Sequence, residues 1–250
     1  MSEIGPKEEI RQSEEVLEQK AQAIRKYLKT DLRYDLIFLP RPFMVELTGT
    51  PSSGKSTVTK ELYDFFRQMG LRIYPPLEGA EEIQHIPRNT PVYNIRTGIY
   101  AWIKMIDESF HHNLDLIIFN RCIFDSYCWM MYWKGKELLS AEEEDMFQSF
   151  FLSRLWTDKI DLCYFMICEP DKAMQRENRI ALSDKVRPYT NPATIKTLVE
   201  RYKKAYEVLS PQHPQIRLID TTNLDEQTMV QTIALDILNT LEDKTKENKI

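Results

Sequence analysis

One segment, Gly49-Thr-Pro-Ser-Ser-Gly54-Lys55-Ser56-Thr57, constrains the fold of this 250-residue chain more than any other. It satisfies G-x-x-x-x-G-K-[ST] at every fixed position. It also stands between a short apolar run, Phe43–Thr48, and a helical pattern, Ser56–Met69. Two of the chain's seven glycines lie here, where a backbone must turn tightly and approach an anion. The amides of Ser53, Gly54, Lys55 and Ser56 can point into one concavity, with the positive end of the helix behind them. Average residue usage makes a chance match a roughly one-in-a-hundred event in a chain this long, and the strand–loop–helix setting lowers it further. The segment therefore reads as a cradle for a nucleoside triphosphate. Gly49 and Gly54 shape it, and Ser52 and Ser53 line it. Lys55 bridges the β- and γ-phosphates, the Ser56 hydroxyl ligates Mg²⁺ and Thr57 reaches an α-phosphate oxygen. Pro51 has no amide to offer and contributes shape only.

Around this segment, short apolar runs alternate with longer helical patterns. Strands are expected at Phe43–Thr48, Leu71–Tyr74, Leu114–Phe119, Asp161–Cys168 and Ile216–Asp220. Helices are expected at 7–29, Ser56–Met69, Pro91–His111, Phe124–Trp133, from Ser140 to Trp156, from Asp171, at Pro192–Leu209 and at Leu224–Leu241. Ser140 and Glu143 form an S-x-x-E capping box. Apolar strands separated by helices of ten or more residues build a parallel sheet covered on both sides. The expected fold is thus α/β of the P-loop NTPase kind: a three-layer parallel sheet with helices on both faces and an N-terminal helical extension. Residues 1–40 form the extension and connector, 41–243 the nucleotide-binding domain and 244–250 a frayed tail. The first helix has few heptads, so packing on the domain is favoured over a dimer-forming coil. Ligands of such sheets bind beyond the carboxyl ends of the strands, which is where functional side chains are sought.

The net charge of −5 argues against a dedicated nucleic-acid binder. The longest apolar run, Leu162–Cys168, is far too short to span a bilayer, so no membrane role is expected. The charged N-terminus has no hydrophobic segment of a secretory signal, and Cys122, Cys128, Cys163 and Cys168 show no C-x-x-C pair. These features point to buried thiols in a cytoplasmic protein.

Three further regions bear on the fate of the triphosphate. Glu78 follows the second strand, where a carboxylate can take the proton of an attacking hydroxyl; Glu81 and Glu82 read as a solvated helix start. Arg121 ends the third strand, where it can stabilise charge on a moving phosphoryl group. Arg176 and Arg179 share a helix face after the fourth strand, with Arg187 beyond; together they could form a basic flap over the phosphates or simple surface ion pairs. His111-His112 lacks metal-ligand spacing. Trp129, Tyr132 and Trp133 read as core.

On these residues the chain, over about 43–240, resembles the thymidylate kinase and deoxynucleoside kinase branch of the P-loop kinases. The resemblance implies an ATP- and Mg²⁺-dependent phosphotransferase acting on a nucleoside or nucleoside monophosphate. Glu78 would be the base or the hydroxyl-orienting group, Arg121 a phosphate or transition-state contact, and Arg176, Arg179 and Arg187 the phosphate-covering segment. Helix Pro91–His111, with Tyr93, Arg96 and Trp102, would line the acceptor pocket. A homodimer through bundle helices is common in that family. The sequence departs from it at Asn120, where an acid precedes the arginine; Asp125, one helical turn on, is the candidate substitute. Alternatives left open are a regulatory nucleotide-binding module without efficient transfer, and a kinase of another small hydroxylated molecule or of a nucleic-acid end.

Overall fold

Phe43–Gly49 is buried at all seven positions, as a strand covered on both faces must be, and it is the middle of the sheet. The computed structural model describes residues 6–31, 41–180 and 191–247. Its strands are β1 (Phe43–Gly49), β2 (Ile73–Tyr74), β3 (Leu116–Asn120), β4 (Leu162–Ile167) and β5 (Ile216–Asp220). All pair in parallel, in the order β2-β3-β1-β4-β5. From β1 the chain goes to the edge strand β2, returns inward to β3 beside β1, and then passes β1 to β4 and outward to β5. The direction of winding reverses beside β1, and the crevice at its carboxyl end is where such sheets hold ligands.

The helices are α1 (Pro6–Asp31), α2 (Lys55–Gln68), α3 (Gly79–Glu82), α4 (Pro91–Glu108), α5 (Ile123–Lys134), α6 (Ala141–Phe151), α7 (Arg154–Thr157), α8 (Pro170–Ile180), α9 (Pro192–Leu209) and α10 (Glu226–Glu247). The strands alternate their side chains between two cores. On one side Met44, Phe119 and Phe165 pack with Met105 of α4, Phe124 of α5 and Tyr202 of α9. On the other Val45, Leu47 and Ile118 pack with Leu62 of α2, Ile237 of α10 and Leu17 of α1. Helix α5 buries every residue from Ile123 to Trp133, which suits its apolar character all round.

The same alternation places Met44, Glu46 and Thr48 on the face toward α5 and α9. Two polar side chains therefore stand inside a fully buried strand, and each needs a partner there.

Helix α1 lies along α10 rather than standing apart. Lys20 Nζ bonds Asn239 Oδ1 at 2.8 Å and Glu242 Oε2 at 2.9 Å, and Ser13 donates to Gln231 at 3.1 Å. The Ser140–Glu143 capping box forms as the sequence requires. The four cysteines are buried and free.

Two helices differ from the expected pattern. The helix begun at Ser140 stops at Phe151, and α7 follows as a separate turn. The break lets Trp156 fold back, its indole Nε1 donating to Phe150 O at 2.7 Å and its ring 5.3 Å from Trp102. Helix α10 runs past Leu241 to Glu247, because Lys244 pairs with the buried Asp161 beneath the sheet. No described helix is long and apolar enough to cross a membrane.

Candidate active site

The loop after β1 has the backbone its sequence demands. Gly49 sits at φ +140°, and a Cβ there would lie 1.9 Å from Met166 O of the neighbouring strand. Gly54 precedes α2 at φ +96°, and Ser52 is also left-handed at φ +56°. No side chain caps α2, so its first amides are left for an outside acceptor. Lys55 is buried and folded into the loop's own concavity, its Nζ donating to Thr50 O at 2.7 Å, Gly49 O at 3.1 Å and Ser53 Oγ at 3.3 Å. Burial and the nearby Arg121 charge lower the lysine to about 7, against the pull of Asp125 and Glu78. Ser56, at the start of α2, is exposed.

Beside this cradle four side chains from three loops meet. Asn120, the last residue of β3, donates its Nδ2 to Glu78 Oε2 at 2.9 Å and lies 3.4 Å from Ser56 Oγ. Arg121 Nε pairs with Glu78 Oε1 at 3.0 Å. Arg121 itself is left-handed at φ +70°, a conformation that a non-glycine residue adopts only when its surroundings impose it. Its amide donates to Leu47 O at 2.9 Å, and its Nη1 donates to Asp125 Oδ1 at 2.7 Å. Asp125 raises the Arg121 guanidinium despite its burial, so the cation is permanent. Lys55, Ser56, Glu78 and Arg121 thus meet at one crevice, and Asn120 stands between Glu78 and Ser56.

Two polar atoms here have no hydrogen-bond partner among the described residues: the Oδ1 of Asn120 and the hydroxyl of Tyr93 on α4. Tyr93 is 7% exposed, with the Arg88 guanidinium 5.6 Å from its ring centre. Burial raises its phenol, keeping it a donor.

Other expected residues take different places. Trp102 is packed against Phe150 and Trp156, about two and a half turns from Tyr93 along α4, at the edge of the core rather than beside Tyr93. Arg176 faces inward: it donates to Ser52 O at 3.3 Å, to Thr221 Oγ1 at 3.1 Å and O at 2.6 Å, and to Leu224 O at 3.2 Å. It therefore ties the cradle to the turn after β5 instead of forming a surface ion pair with Glu177, whose Oε2 accepts from Ser52 Oγ at 3.0 Å. The side chain of Arg179 and all of Arg187 lie outside the described residues. Asp125 does not substitute for an acid at position 120, because its Oδ1 is directed to Arg121, Thr48 and Tyr202. Trp129, Tyr132 and Trp133 form a satellite core with Leu139 and Leu198.

No family model matches the chain, and no curated protein matches it in sequence. Solved structures do. Deoxyadenosine kinase from M. mycoides, with dCMP and dCDP bound, superposes at a TM-score of 0.58 and 16% identity, over 79% of this chain and 100% of the other. The same enzyme with dATP gives 0.56 and 18%, over 79% and 99%, and with dCTP 0.53 and 16%, over 79% and 100%. The chain shares its fold with deoxyadenosine kinase.

Sequence reasoning passed over Thr48 and Tyr202 and offered Glu46 only as a substitute base for Glu78. Thr48 and Glu46 carried a signal, as polar residues on one face of an otherwise apolar strand. Glu46 accepts the amides of Cys122 at 2.9 Å, Phe124 at 3.2 Å and Asp125 at 2.8 Å, closing the start of α5 and fixing the Arg121 turn from below. With no exposed surface it cannot serve as a base. Tyr202 carried no such signal: it lies 77 residues from Asp125, inside an ordinary amphipathic helix.

Proposed function

We propose that the chain is an ATP- and Mg²⁺-dependent kinase that phosphorylates a deoxynucleoside. The observation that carries this reading is the chain of contacts from the cradle to a carboxylate: Ser56, Asn120, Glu78 and Arg121 in sequence across one crevice. A triphosphate gripped by the loop would place its terminal group between Lys55 and Arg121. Charge there is neutralised by fixed cations that need no rearrangement during transfer. Glu78, held by a donor on each oxygen, faces the same place and would take the proton of the acceptor hydroxyl as it attacks.

The oxygens available for Mg²⁺ suit that ion. Ser56 Oγ and the orphaned Asn120 Oδ1 are hard donors, and Mg²⁺ characteristically takes only one or two protein oxygens besides phosphate and water. Once bound it would offset charge on the β- and γ-phosphates. The unanswered Tyr93 hydroxyl, on the Glu78 side of the crevice, suits a sugar hydroxyl of the acceptor. The similar kinase was solved with dATP, dCTP and dCMP, which supports a deoxynucleoside as the acceptor. Arg179 and Arg187 remain candidates for covering the phosphates.

The test is incubation with γ-labelled ATP, Mg²⁺ and a panel of deoxynucleosides, ribonucleosides and their monophosphates. Label on a deoxynucleoside is the expected outcome, and Lys55→Ala abolishes it while the fold persists. Tight ATP binding with no labelled product would support a regulatory module instead.

A further inference from the structure

Asp125 is a carboxylate at the start of α5 with 5% of its surface exposed, close enough to the cradle for its charge to pull on Lys55. Its Oδ1 gathers three donors: the Thr48 hydroxyl from β1, the Tyr202 phenol from α9 at 2.5 Å and Arg121 Nη1 at 2.7 Å. The Thr48 and Tyr202 oxygens lie 3.2 Å apart, so the two hydroxyls flank the same carboxylate oxygen. Both residues are essentially buried, at 0% and 1% exposure. A buried charge is tolerated only where donors surround it, and removing one donor loosens what remains. Burial and the adjoining carboxylate push the Tyr202 phenol well up, so it stays a donor.

The cation that this cluster holds is itself in an unfavourable backbone conformation. One edge of the Arg121 guanidinium rests on Glu78, a group that must also meet substrate. The other edge rests on Asp125, whose Oδ1 is also held by Thr48 and Tyr202. We infer that Tyr202 and Thr48, acting through Asp125, are positioning residues that set where the Arg121 guanidinium stands in the crevice, so that helix α9 contributes to phosphoryl transfer without touching substrate. This rests on the reading of Arg121 as a contact of the transferring phosphoryl group. A misplacement of about 1 Å in such a group is enough for large losses in rate.

Tyr202→Phe is the discriminating variant, because the ring packs edge-on to Phe165 at 5.6 Å and phenylalanine keeps that contact. With ATP as donor and deoxyadenosine as acceptor, Tyr202→Phe is expected to lower kcat about ten-fold while KM for ATP stays within two-fold. In an Arg121→Gln background the same change should move kcat less than two-fold, since the positioned group is gone. An equal ten-fold loss in both backgrounds, or no loss in the wild-type background, overturns the inference. If Arg121→Gln alone leaves kcat unchanged, the assignment of Arg121 fails and this inference falls with it, a result distinct from either. A readout independent of turnover is the Nε–H resonance of Arg121, identified by its loss in Arg121→Gln. Its solvent exchange should be at least ten-fold faster in Tyr202→Phe than in wild type. Unchanged exchange refutes the positioning role whichever acceptor the enzyme uses.

Discussion

Glu46→Gln tests how the floor of the site is built. Glu46 is wholly enclosed, and burial raises its carboxyl from 4.5 to about 8, assisted by the Asp125 charge and opposed by the amides of Asp125, Cys122 and Phe124. The folded state therefore holds a proton that the unfolded chain has already lost between those two pH values. Because the unfolded state binds fewer protons there, stability falls as pH rises through that window. The wild type should therefore lose roughly 2 to 3 kcal/mol between pH 5 and pH 7 from this group alone. Glutamine keeps the shape and does not titrate, so it removes this loss. Urea unfolding of both proteins at half-unit steps from pH 4.5 to 8 measures it. The wild type's stability relative to Glu46→Gln should decline by roughly that amount between pH 5 and pH 7. A constant difference would show that the three amides and the helix N-terminus keep Glu46 an ordinary carboxylate, refuting the reasoning.

Three other outcomes follow from the same geometry. Glu78→Gln should lower turnover 10²-fold or more, on the order expected of a general base, with ATP affinity little changed; an unaltered rate would remove Glu78 from the chemistry. Binding of Mg-ATP at pH 8 should take up about 0.9 proton, and at pH 6 about 0.1, because Lys55 starts near 7 and ends charged against phosphate. Observed heats in buffers of different ionisation enthalpy report this, and a zero slope at pH 8 would exclude a neutral resting lysine. Gly49→Ala should fail to give soluble folded protein or cost more than about 3 kcal/mol in urea unfolding, since its Cβ would collide with the β4 backbone; near-wild-type stability would contradict the tight β1–β4 contact.

Much of the architecture was legible because each strand is a short run of apolar residues closed by polar ones. The cradle was legible because its glycines and lysine are contiguous. Glu78 and Arg121 could be found because a parallel sheet confines ligands to strand ends, and both residues stand there. What the sequence hid is direction. Arg176 lies on the expected helix, but its guanidinium turns toward Ser52, Thr221 and Leu224, and the last two of those partners lie more than forty residues on. Asp125 was visible as an acid one turn after Arg121. Its orientation depends on Thr48 and Tyr202, brought to it by strand alternation and by the docking of α9. The break before α7 was hidden for a similar reason: local preference runs through Leu152-Ser153, and the aromatic packing of Trp156 overrides it.

The central claim is that residues 49–57 grip a nucleoside triphosphate through their amides and Lys55. Titrating Mg-ATP into the purified protein in a calorimeter, alongside Lys55→Ala, measures this directly. The account predicts a saturable single-site isotherm for the wild type, a matching rise in its melting temperature, and a large loss of both in the variant. A flat titration with no thermal stabilisation of the wild type would contradict it.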